Sequence, residues 1–423
     1  MGKEKGKMAL STKILISLAI GIIVGIIVHT FPEGFVRDTL LINGIFNLVG
    51  QIFLRSIMML VVPLVFISLV NGASSIGDIK KLGRVGGKTV LFYLTTTAIA
   101  VIIALVLGAI IKPGVGLDLG AVATTDITIG EEVPLVDIFI DMVPKNPIKA
   151  MAEGNMLQII VFAILTGLGI SILGEKTAKV KDLFLELNEL IMKLVELVMY
   201  LAPIGVFGLI GKTFGEIGIK ALIPVAKYVF AVYLGLAIHL LIVYGGLFKI
   251  FTNLPIKTFY KKYLPAMSVA FSTASSGATL PVSLDVVQND MGVAGEIASF
   301  TLPLGSTINM DGTAIMQGVA TFFVAQVYNV PLTMGMLVTV VLTATLASIG
   351  TAGVPGAGSI MLSMVLQSIG LPLEGMALIM GIDRLVDMGR TATNVTGDAV
   401  CTIIIANQEG QLDEEVFLRE KAE

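Results

Sequence analysis

The sequence predicts an all-α protein that crosses a membrane several times. Hydrophobic residues make up 55% of the chain and charged residues 14%, whereas soluble domains average about 25% charged residues. The mean hydropathy is +0.92. Four uncharged apolar runs are spread along the first 250 residues. Each is long enough, or nearly so, to cross a hydrocarbon core of about 30 Å as a helix. These runs cover residues 14–31, 89–111, 157–174 and 228–248.

The first apolar run follows Lys3, Lys5, Lys7 and Lys13, as in a secretory signal peptide. No small-residue cleavage site follows it and further apolar runs do, so we interpret it as a retained first helix. Lysine and arginine gather in the loops after the second, fourth and sixth predicted spans, while the loop after the third is acidic. The positive-inside rule therefore predicts a cytoplasmic N-terminus. A net charge of −3 and a single cysteine favour neither nucleic-acid binding nor a disulfide-linked domain.

Two breaks interrupt the apolar pattern of the C-terminal part, at residues 272–281 and 347–356. Both contain Ala-Ser-x-Gly, 73 residues apart, and both close with a proline. Paired Gly/Pro interruptions are typical of transporters built from internal repeats, with the site between broken helices. Two kinks lined by small packing residues are the alternative.

The segment 305–313 lies within a predicted span and carries Asn309 and Asp311. Residues two apart point about 200° from each other on a regular helix, so we expect the helix to unwind here. Unwinding frees carbonyl oxygens, and carbonyls together with a carboxylate and an amide suit a hard monovalent cation such as sodium. The sequence offers no His/Cys cluster for zinc, and we interpret its two histidines, His29 and His239, as structural.

A polar seam follows near the C-terminus. It consists of Asp383, Asp387, Arg390, Asn394 and Asp398, at spacings of 4, 3, 4 and 4. On an α-helix these residues fall within a stripe of about 80°. Ionisable side chains cost about 2.5 to 3.5 kcal/mol each at the centre of a membrane helix, so the seam predicts a partner such as an ion or a polar ligand.

These motifs resemble the dicarboxylate/amino acid:cation symporter family, which includes excitatory amino acid transporters and archaeal and bacterial sodium-coupled glutamate/aspartate transporters. The resemblance covers nearly the whole chain. It rests on Ser275-Ser276, on Asn309-Met310-Asp311-Gly312-Thr313, on the second break at 347–356, on Asp387-Met388-Gly389-Arg390-Thr391 and on Asn394-Val395-Thr396-Gly397-Asp398.

The resemblance implies eight transmembrane helices, two re-entrant hairpins, inverted repeats, and an elevator-type homotrimer in the plasma membrane with both termini cytoplasmic. It divides the chain into scaffold helices 1–2 (1–88), transport-domain helix 3 (89–135), scaffold helices 4–5 (136–220), transport-domain helix 6 (221–262), hairpin 1 (263–292), helix 7 (293–330), hairpin 2 (331–370), helix 8 (371–408) and a cytoplasmic tail (409–423).

By resemblance, Arg390 holds the side-chain carboxylate of an acidic amino acid and Asp387 holds its α-amino group. The chemistry fits, because a guanidinium is a planar, always-charged fork matched to a carboxylate. The other substrate-binding residues that the resemblance implies are Ser275, Ser276, Thr313, Val354, Gly358, Thr391 and Asn394.

The resemblance also implies three sodium sites and no other cofactor. The first site is formed by Asp311 and Asn309 together with Tyr93, Thr96 and Thr97. The second is formed by Asp398 and Asn394 together with backbone oxygens near Gly305 and Asn309. The third lies between Ser348, Ile349 and Thr351 of the second break and the carbonyl near Thr307. For Tyr93, Thr96 and Thr97 the alternative is a packing role, since threonine in membrane helices often bonds its own chain.

Three positions depart from the family. Residue 274 is alanine where archaeal members carry an arginine, residue 388 is methionine where animal members carry one, and Gln317 stands where animal members carry a glutamate tied to proton and potassium coupling. Arg384 is a candidate substitute that supports the Asp387 carboxylate. We expect a sodium-coupled glutamate/aspartate symporter without potassium counter-transport, and not an enzyme.

Four alternatives remain. A proton-coupled carrier and a C4-dicarboxylate carrier belong to the same family; the latter has no need for an amine-binding carboxylate. An intramembrane aspartyl protease could pair Asp311 with Asp398, but the sequence lacks GxGD. A passive channel is the fourth.

Overall fold

The structure is a computed structural model, and it describes residues 10–76, 84–117, 136, 140–350 and 357–419. Within these ranges the chain is helical and forms no β-strand, with one isolated bridge between Val293 and Leu412. The all-α prediction is therefore confirmed for the described residues. Five helical stretches in them are long and apolar enough to cross a membrane. These stretches are Thr12–His29, Phe35–Ser74, Arg84–Ile111, Leu157–Met199 and Ala202–Thr252.

The N-terminal half consists mainly of long apolar helices. Helix α1 spans Leu10–His29, a π-helical segment spans Phe35–Phe46, α2 spans Asn47–Ile76, α3 spans Arg84–Ile111, α4 spans Pro147–Glu153, α5 spans Met156–Leu173, α6 spans Ala178–Met199 and α7 spans Ala202–Ile217. The range 136–220, predicted to hold scaffold helices 4 and 5, includes α4 to α7 among its described residues, and its assignment to the scaffold stays a prediction. The breaks have local causes, because Gly154 and Gly174 adopt positive φ angles of 72° and 56° and Pro203 lies in the first turn of α7.

The C-terminal half contains shorter, interrupted helices. Helix α8 spans Leu222–Ile238, a π-helical segment spans His239–Tyr244, α9 spans Gly245–Thr252, α10 spans Ile256–Thr273, α11 spans Ser276–Asp285, a second π-helical segment spans Val286–Asp290, α12 spans Gly295–Ile308, α13 spans Asp311–Val327, α14 spans Met334–Ala347, α15 spans Ala357–Ser368, α16 spans Met376–Gln408 and α17 spans Glu414–Leu418.

The breaks predicted from the sequence occur where they were expected. Helix α12 ends at Ile308 and α13 begins at Asp311, so the unwinding around Asn309 is confirmed. Helix α10 ends before Ala274, which adopts the left-handed conformation with φ 50° and reverses the chain. Helix α14 ends at Ala347 and is followed by a short 3₁₀ turn at 348–350. Residues 351–356 of the second break lie outside the described residues.

The helices pack as two groups. Helix α1 packs mainly on α7, and α2 packs on α5, α6 and α7. Separately, α13 packs on α3, and α16 packs on α10, α12 and α13. The groups touch where α16 meets α7 and where α2 meets α15 and the 348–350 turn. The functional division into scaffold and transport domains stays a prediction.

An ion-pair cluster ties the end of α16 to the start of α3. The Glu409 carboxylate accepts hydrogen bonds from Arg84 Nη2 at 2.5 Å and Lys88 Nζ at 2.7 Å. The hydrogen bonds from Arg84 and Lys88 lower the pKa of Glu409. Since Glu409 directly follows α16, this contact helps to fix the position of the polar seam along α3.

We predict that Gly25→Ala destabilises the packing of α1 on α7. A Cβ at residue 25 would lie 2.7 Å from the Phe214 Cβ and 2.9 Å from the Gly211 carbonyl oxygen. Overpacking of this kind costs about 1 to 3 kcal/mol, so the midpoint of thermal unfolding in detergent should fall by several degrees. Gly246→Ala is the control, because nothing lies within 4 Å of its added Cβ. Equal unfolding midpoints for the two variants would contradict the close packing of α1 on α7 at Gly25.

Candidate functional site

The polar seam lies on one continuous helix, α16, as its spacing predicts. All five side chains are buried, and Arg390 is the most deeply enclosed, with 1% of its surface exposed. Burial of a guanidinium to this degree requires carboxylate or carbonyl partners, because an isolated charge is strongly disfavoured in a low-dielectric interior. The seam therefore defines the candidate site.

Two carboxylates of the same helix surround Arg390. Its Nη2 donates to Asp387 Oδ1 at 2.7 Å, and its Nη1 lies 3.2 Å from Asp383 Oδ1. The Nη1 and Nε atoms nevertheless have no aligned hydrogen-bond acceptor among the described residues. Gly358 packs directly on the guanidinium, since a Cβ there would lie 2.7 Å from Nη1. Arg390 is thus charge-paired but retains unused donors.

Arg384 joins Asp387 to the first hairpin tip. Its Nη1 lies 4.0 Å from Asp387 Oδ2, and its Nη2 donates to the Thr273 carbonyl at 3.3 Å. A longer contact of 3.5 Å reaches the Ser272 carbonyl. The structure therefore places Arg384 beside the Asp387 carboxylate, where the sequence suggested a substitute for the family's arginine.

A cavity of about 630 Å³ opens next to this cluster. Asp383, Arg384 and Asp387 line it from α16, and Thr273 and Ser359 line it from the two hairpins. The opposite wall comes from α1, α2, α6 and α7, and its lining is apolar except for four residues of α6, which are Asn188, Glu189, Lys193 and Glu196. Because Arg390 does not line the cavity, a molecule that enters meets Asp383 and Asp387 before it reaches the guanidinium.

The remaining predicted substrate residues form local hydrogen bonds or are buried. Ser275 caps α11, since its side chain accepts from the Ala278 amide at 3.2 Å. Asn394 Oδ1 accepts from the Gly312 amide at 2.7 Å, which docks the unwound segment on α16. The other members, Ser276, Thr313 and Thr391, are buried, and Val354 lies outside the described residues.

The Asp311 carboxylate is enclosed by three donors. Thr97 donates to Oδ1 at 2.5 Å, Tyr244 donates to Oδ2 at 2.7 Å, and His239 Nε2 lies 2.8 Å from the same oxygen. Of the three residues predicted on α3, only Thr97 forms a hydrogen bond with Asp311 among the described contacts. Thr96 donates to the Tyr93 carbonyl and Tyr93 donates to the Thr301 carbonyl, and their role as sodium ligands stays a prediction.

The sequence interpretation missed the role of His239 and Tyr244. We interpreted His239 as structural, which is incomplete because its buried ring contacts a carboxylate on another helix. One signal could have found it, since an ionisable residue within an apolar membrane run points to a functional site by default. The spacing of residues in the apolar run 228–248 alone does not reveal that His239 contacts Asp311.

Asn309 and Asp398 form a second polar cluster. The Asn309 amide donates to Asp398 Oδ1 and to the Asn394 carbonyl, both at 2.9 Å. Its Oδ1 is buried and accepts no hydrogen bond from the described residues. Gly305 packs on Asp398 and on the Tyr93 hydroxyl. A carboxylate and an unsatisfied amide oxygen suit a sodium ion better than a softer metal.

The third predicted sodium site is only partly described. The 348–350 turn contacts α12, so the second tip approaches the helix that carries Thr307. Ser348 donates to the Thr345 carbonyl at 2.7 Å, Thr307 donates to the Leu304 carbonyl at 2.9 Å, and Ile349 is buried. Thr351 lies outside the described residues.

Comparisons with known proteins match this chain to one protein family. A family model described as the sodium:dicarboxylate symporter family matches residues 10–408. The chain is similar to a proton/sodium-glutamate symport protein of Geobacillus stearothermophilus, at 37% identity over 97% of this chain and 96% of that protein. It is 35% identical to a proton/glutamate-aspartate symporter of Escherichia coli (strain K12), over 96% and 94%. It is 31% identical to a C4-dicarboxylate transport protein of Bacillus subtilis (strain 168), over 96% and 94%.

We predict that Tyr244→Phe destabilises the protein through Asp311. The substitution removes one donor from a buried carboxylate, which costs about 1 to 3 kcal/mol, and should lower the midpoint of thermal unfolding in detergent. Tyr228→Phe is the matched control, because the Tyr228 hydroxyl is buried without a hydrogen-bond partner among the described residues. An equal loss in both variants would show that the contact with Asp311 is not what stabilises Tyr244.

Proposed function

This chain belongs to the sodium:dicarboxylate symporter family, and on that premise we propose that it is a sodium-coupled symporter of the acidic amino acids glutamate and aspartate. Its family and relatives are transporters and not enzymes. The family together with the apolar helices implies a multi-pass protein of the plasma membrane. The substrate and the coupling ion are the parts that we propose.

The observation that carries the proposal is the pairing of Arg390 with Asp387 beside the cavity. An acidic amino acid carries a side-chain carboxylate and an α-ammonium group, and it needs one fixed cation and one fixed anion. Arg390 has unused donors for a carboxylate, and two parallel N–H···O bonds give a guanidinium its selectivity for that group. Asp387 supplies the anion one helical turn away, for the ammonium group.

Sodium is the proposed coupling ion. The buried Asn309 Oδ1 without a donor, next to the Asp398 carboxylate, supports a cation at that position. A sodium ion that enters down a tenfold gradient and 100 mV supplies about 3.7 kcal/mol. Several such ions offset the charge of the substrate and still drive its accumulation. Gln317, buried on α13 in place of the glutamate of animal members, supports transport without potassium counter-transport.

The proposed movement is an elevator within a homotrimer. In this proposal α3 and α8–α16 carry the substrate across the membrane against a scaffold that includes α1, α2 and α5–α7. The packing of the helices into these two groups supports the division.

Two other carriers of the same family are the alternatives. Relatives named as proton/glutamate-aspartate symporters favour a proton as the coupling ion, and relatives named as C4-dicarboxylate transport proteins favour a substrate without an amine. Asp387 argues against the second alternative, since a dicarboxylate gains nothing from a carboxylate in its binding site.

The proposal is tested by uptake into proteoliposomes. Labelled glutamate, aspartate, succinate and serine are offered with sodium, proton or potassium gradients imposed one at a time. We expect concentrative uptake of glutamate or aspartate that requires the inward sodium gradient and collapses when it is dissipated. Uptake driven by the proton gradient alone would establish the proton alternative. Serine uptake above that of the acidic substrates would contradict the role of Arg390.

We further predict that Asp387→Asn separates amino acids from dicarboxylates. Loss of the charged partner of the ammonium group costs about 2 to 3 kcal/mol, so the KM for glutamate and aspartate should rise about 30- to 150-fold. Succinate should bind at least as well as it does to the wild type, because one negative charge near it is removed. Exposed Glu374→Gln, the same chemical change outside the site, is the control. An unchanged KM for the amino acids would overturn the assignment of Asp387.

A further inference from the structure

Arg390 has two carboxylate neighbours that differ in how they hold it. Asp387 accepts an aligned hydrogen bond at 2.7 Å. Asp383 lies 3.2 Å from Nη1, yet its Oδ1 and the Nη1 and Nε atoms have no aligned hydrogen-bond partner among the described residues. Asp383 therefore balances the charge of Arg390 without using its donors.

Such a contact is easily exchanged. A buried arginine without a counter-ion is strongly destabilising, but Asp387 already supplies one for Arg390, so Asp383 can leave without stranding an unpaired guanidinium. A carboxylate that forms two parallel N–H···O bonds with the same guanidinium is held more strongly than one in a misaligned contact. A substrate carboxylate can therefore replace Asp383 and make better hydrogen bonds.

The cavity determines which of the two carboxylates must move. Asp383 and Asp387 both line it, and Arg390 lies behind them. Asp387 is fixed from two sides, by Arg390 and by Arg384. Asp383, with 12% of its side chain exposed and no hydrogen bond from the guanidinium, is the carboxylate that an entering group displaces.

We propose that Asp383 is an internal competitor for Arg390, which holds the guanidinium in the empty carrier and is displaced by the side-chain carboxylate of the substrate. This inference rests on the proposed function and identifies a specificity-determining residue for it. While Asp383 occupies Arg390, only part of the protein is ready to bind a carboxylate, and the apparent affinity for acidic substrates is reduced in proportion.

The same competitor sets the charge of the empty carrier. Without substrate, the charges of Asp383 and Asp387 cancel those of Arg384 and Arg390. If the Asp383 charge is removed, Asp387 alone faces Arg384 and Arg390, so the empty carrier returns across the membrane with a net positive charge in this cluster, which slows the return. Exchange of external for internal substrate does not include the return of the empty carrier, so its rate is not slowed.

The test uses Asp383→Asn in proteoliposomes, with both net uptake and substrate exchange measured. Compared with the wild type, we expect the KM for the acidic substrate to fall about tenfold and the KM for serine not to fall. We expect net uptake to slow at least fivefold relative to exchange. Asp383→Glu keeps the charge, so its KM for the acidic substrate and its ratio of net uptake to exchange should stay near those of the wild type. Glu374→Gln is the matched control for the loss of an exposed carboxylate.

Each outcome decides the inference. An unchanged KM and an unchanged ratio of net uptake to exchange in Asp383→Asn would overturn it and leave the proposed function intact. Loss of substrate binding in that variant would also overturn it, because Asp383 would then be a direct ligand. If Asp383→Asn does not fold, Asp383→Glu decides alone, and a fall in its KM contradicts the proposal. A wild type that accumulates neither glutamate nor aspartate contradicts the proposed function, and this inference with it.

Discussion

The buried guanidinium of Arg390 is the constraint on which the arrangement of the site depends. A charge with 1% of its surface exposed must be neutralised locally, and α16 does this with its own residues. Asp387 lies three positions before Arg390 and Asp383 lies seven positions before it, so both fall on the same helical face. Gly358 of α15 and Gly312 of α13 then pack against an arginine whose charge is already balanced. This explains how α16 carries four charged residues within about two turns, at positions 383, 384, 387 and 390.

Broken helices give the rest of the chain access to that face. Gly358 on the second hairpin packs against the guanidinium of Arg390. Gly312, just after the break between α12 and α13, packs against the Arg390 backbone. Side chains at either position would collide with Arg390. The break also releases Asn309, whose amide reaches Asp398 on α16. The proposed substrate and ion clusters therefore share one helix, and Asn394, which lies between them on that helix, accepts a hydrogen bond from the Gly312 amide.

Features encoded within one helix were predictable from the sequence, and contacts between helices were not. The spacing from Asp383 to Asp398 predicted a single face, and the conflict between Asn309 and Asp311 predicted the break, because both follow from helical geometry alone. The approach of His239 to Asp311 depends on how the π-helical segment His239–Tyr244 is rotated against α13, which hydrophobic periodicity does not determine. The contact of Arg390 with Asp383 depends on side-chain rotamers within the packed site. The number of membrane helices, the trimer and the elevator movement stay predictions.

A structure of the protein in lipid with aspartate and sodium tests the central claim most directly. The measurement is the pair of distances from the Arg390 guanidinium, one to the side-chain carboxylate of the substrate and one to Asp383. The account predicts two hydrogen bonds from Arg390 to the substrate, the α-ammonium group at Asp387, and Asp383 moved away from the guanidinium. A bound aspartate that leaves the contact of Arg390 with Asp383 unchanged, and that places its side-chain carboxylate elsewhere, would contradict it.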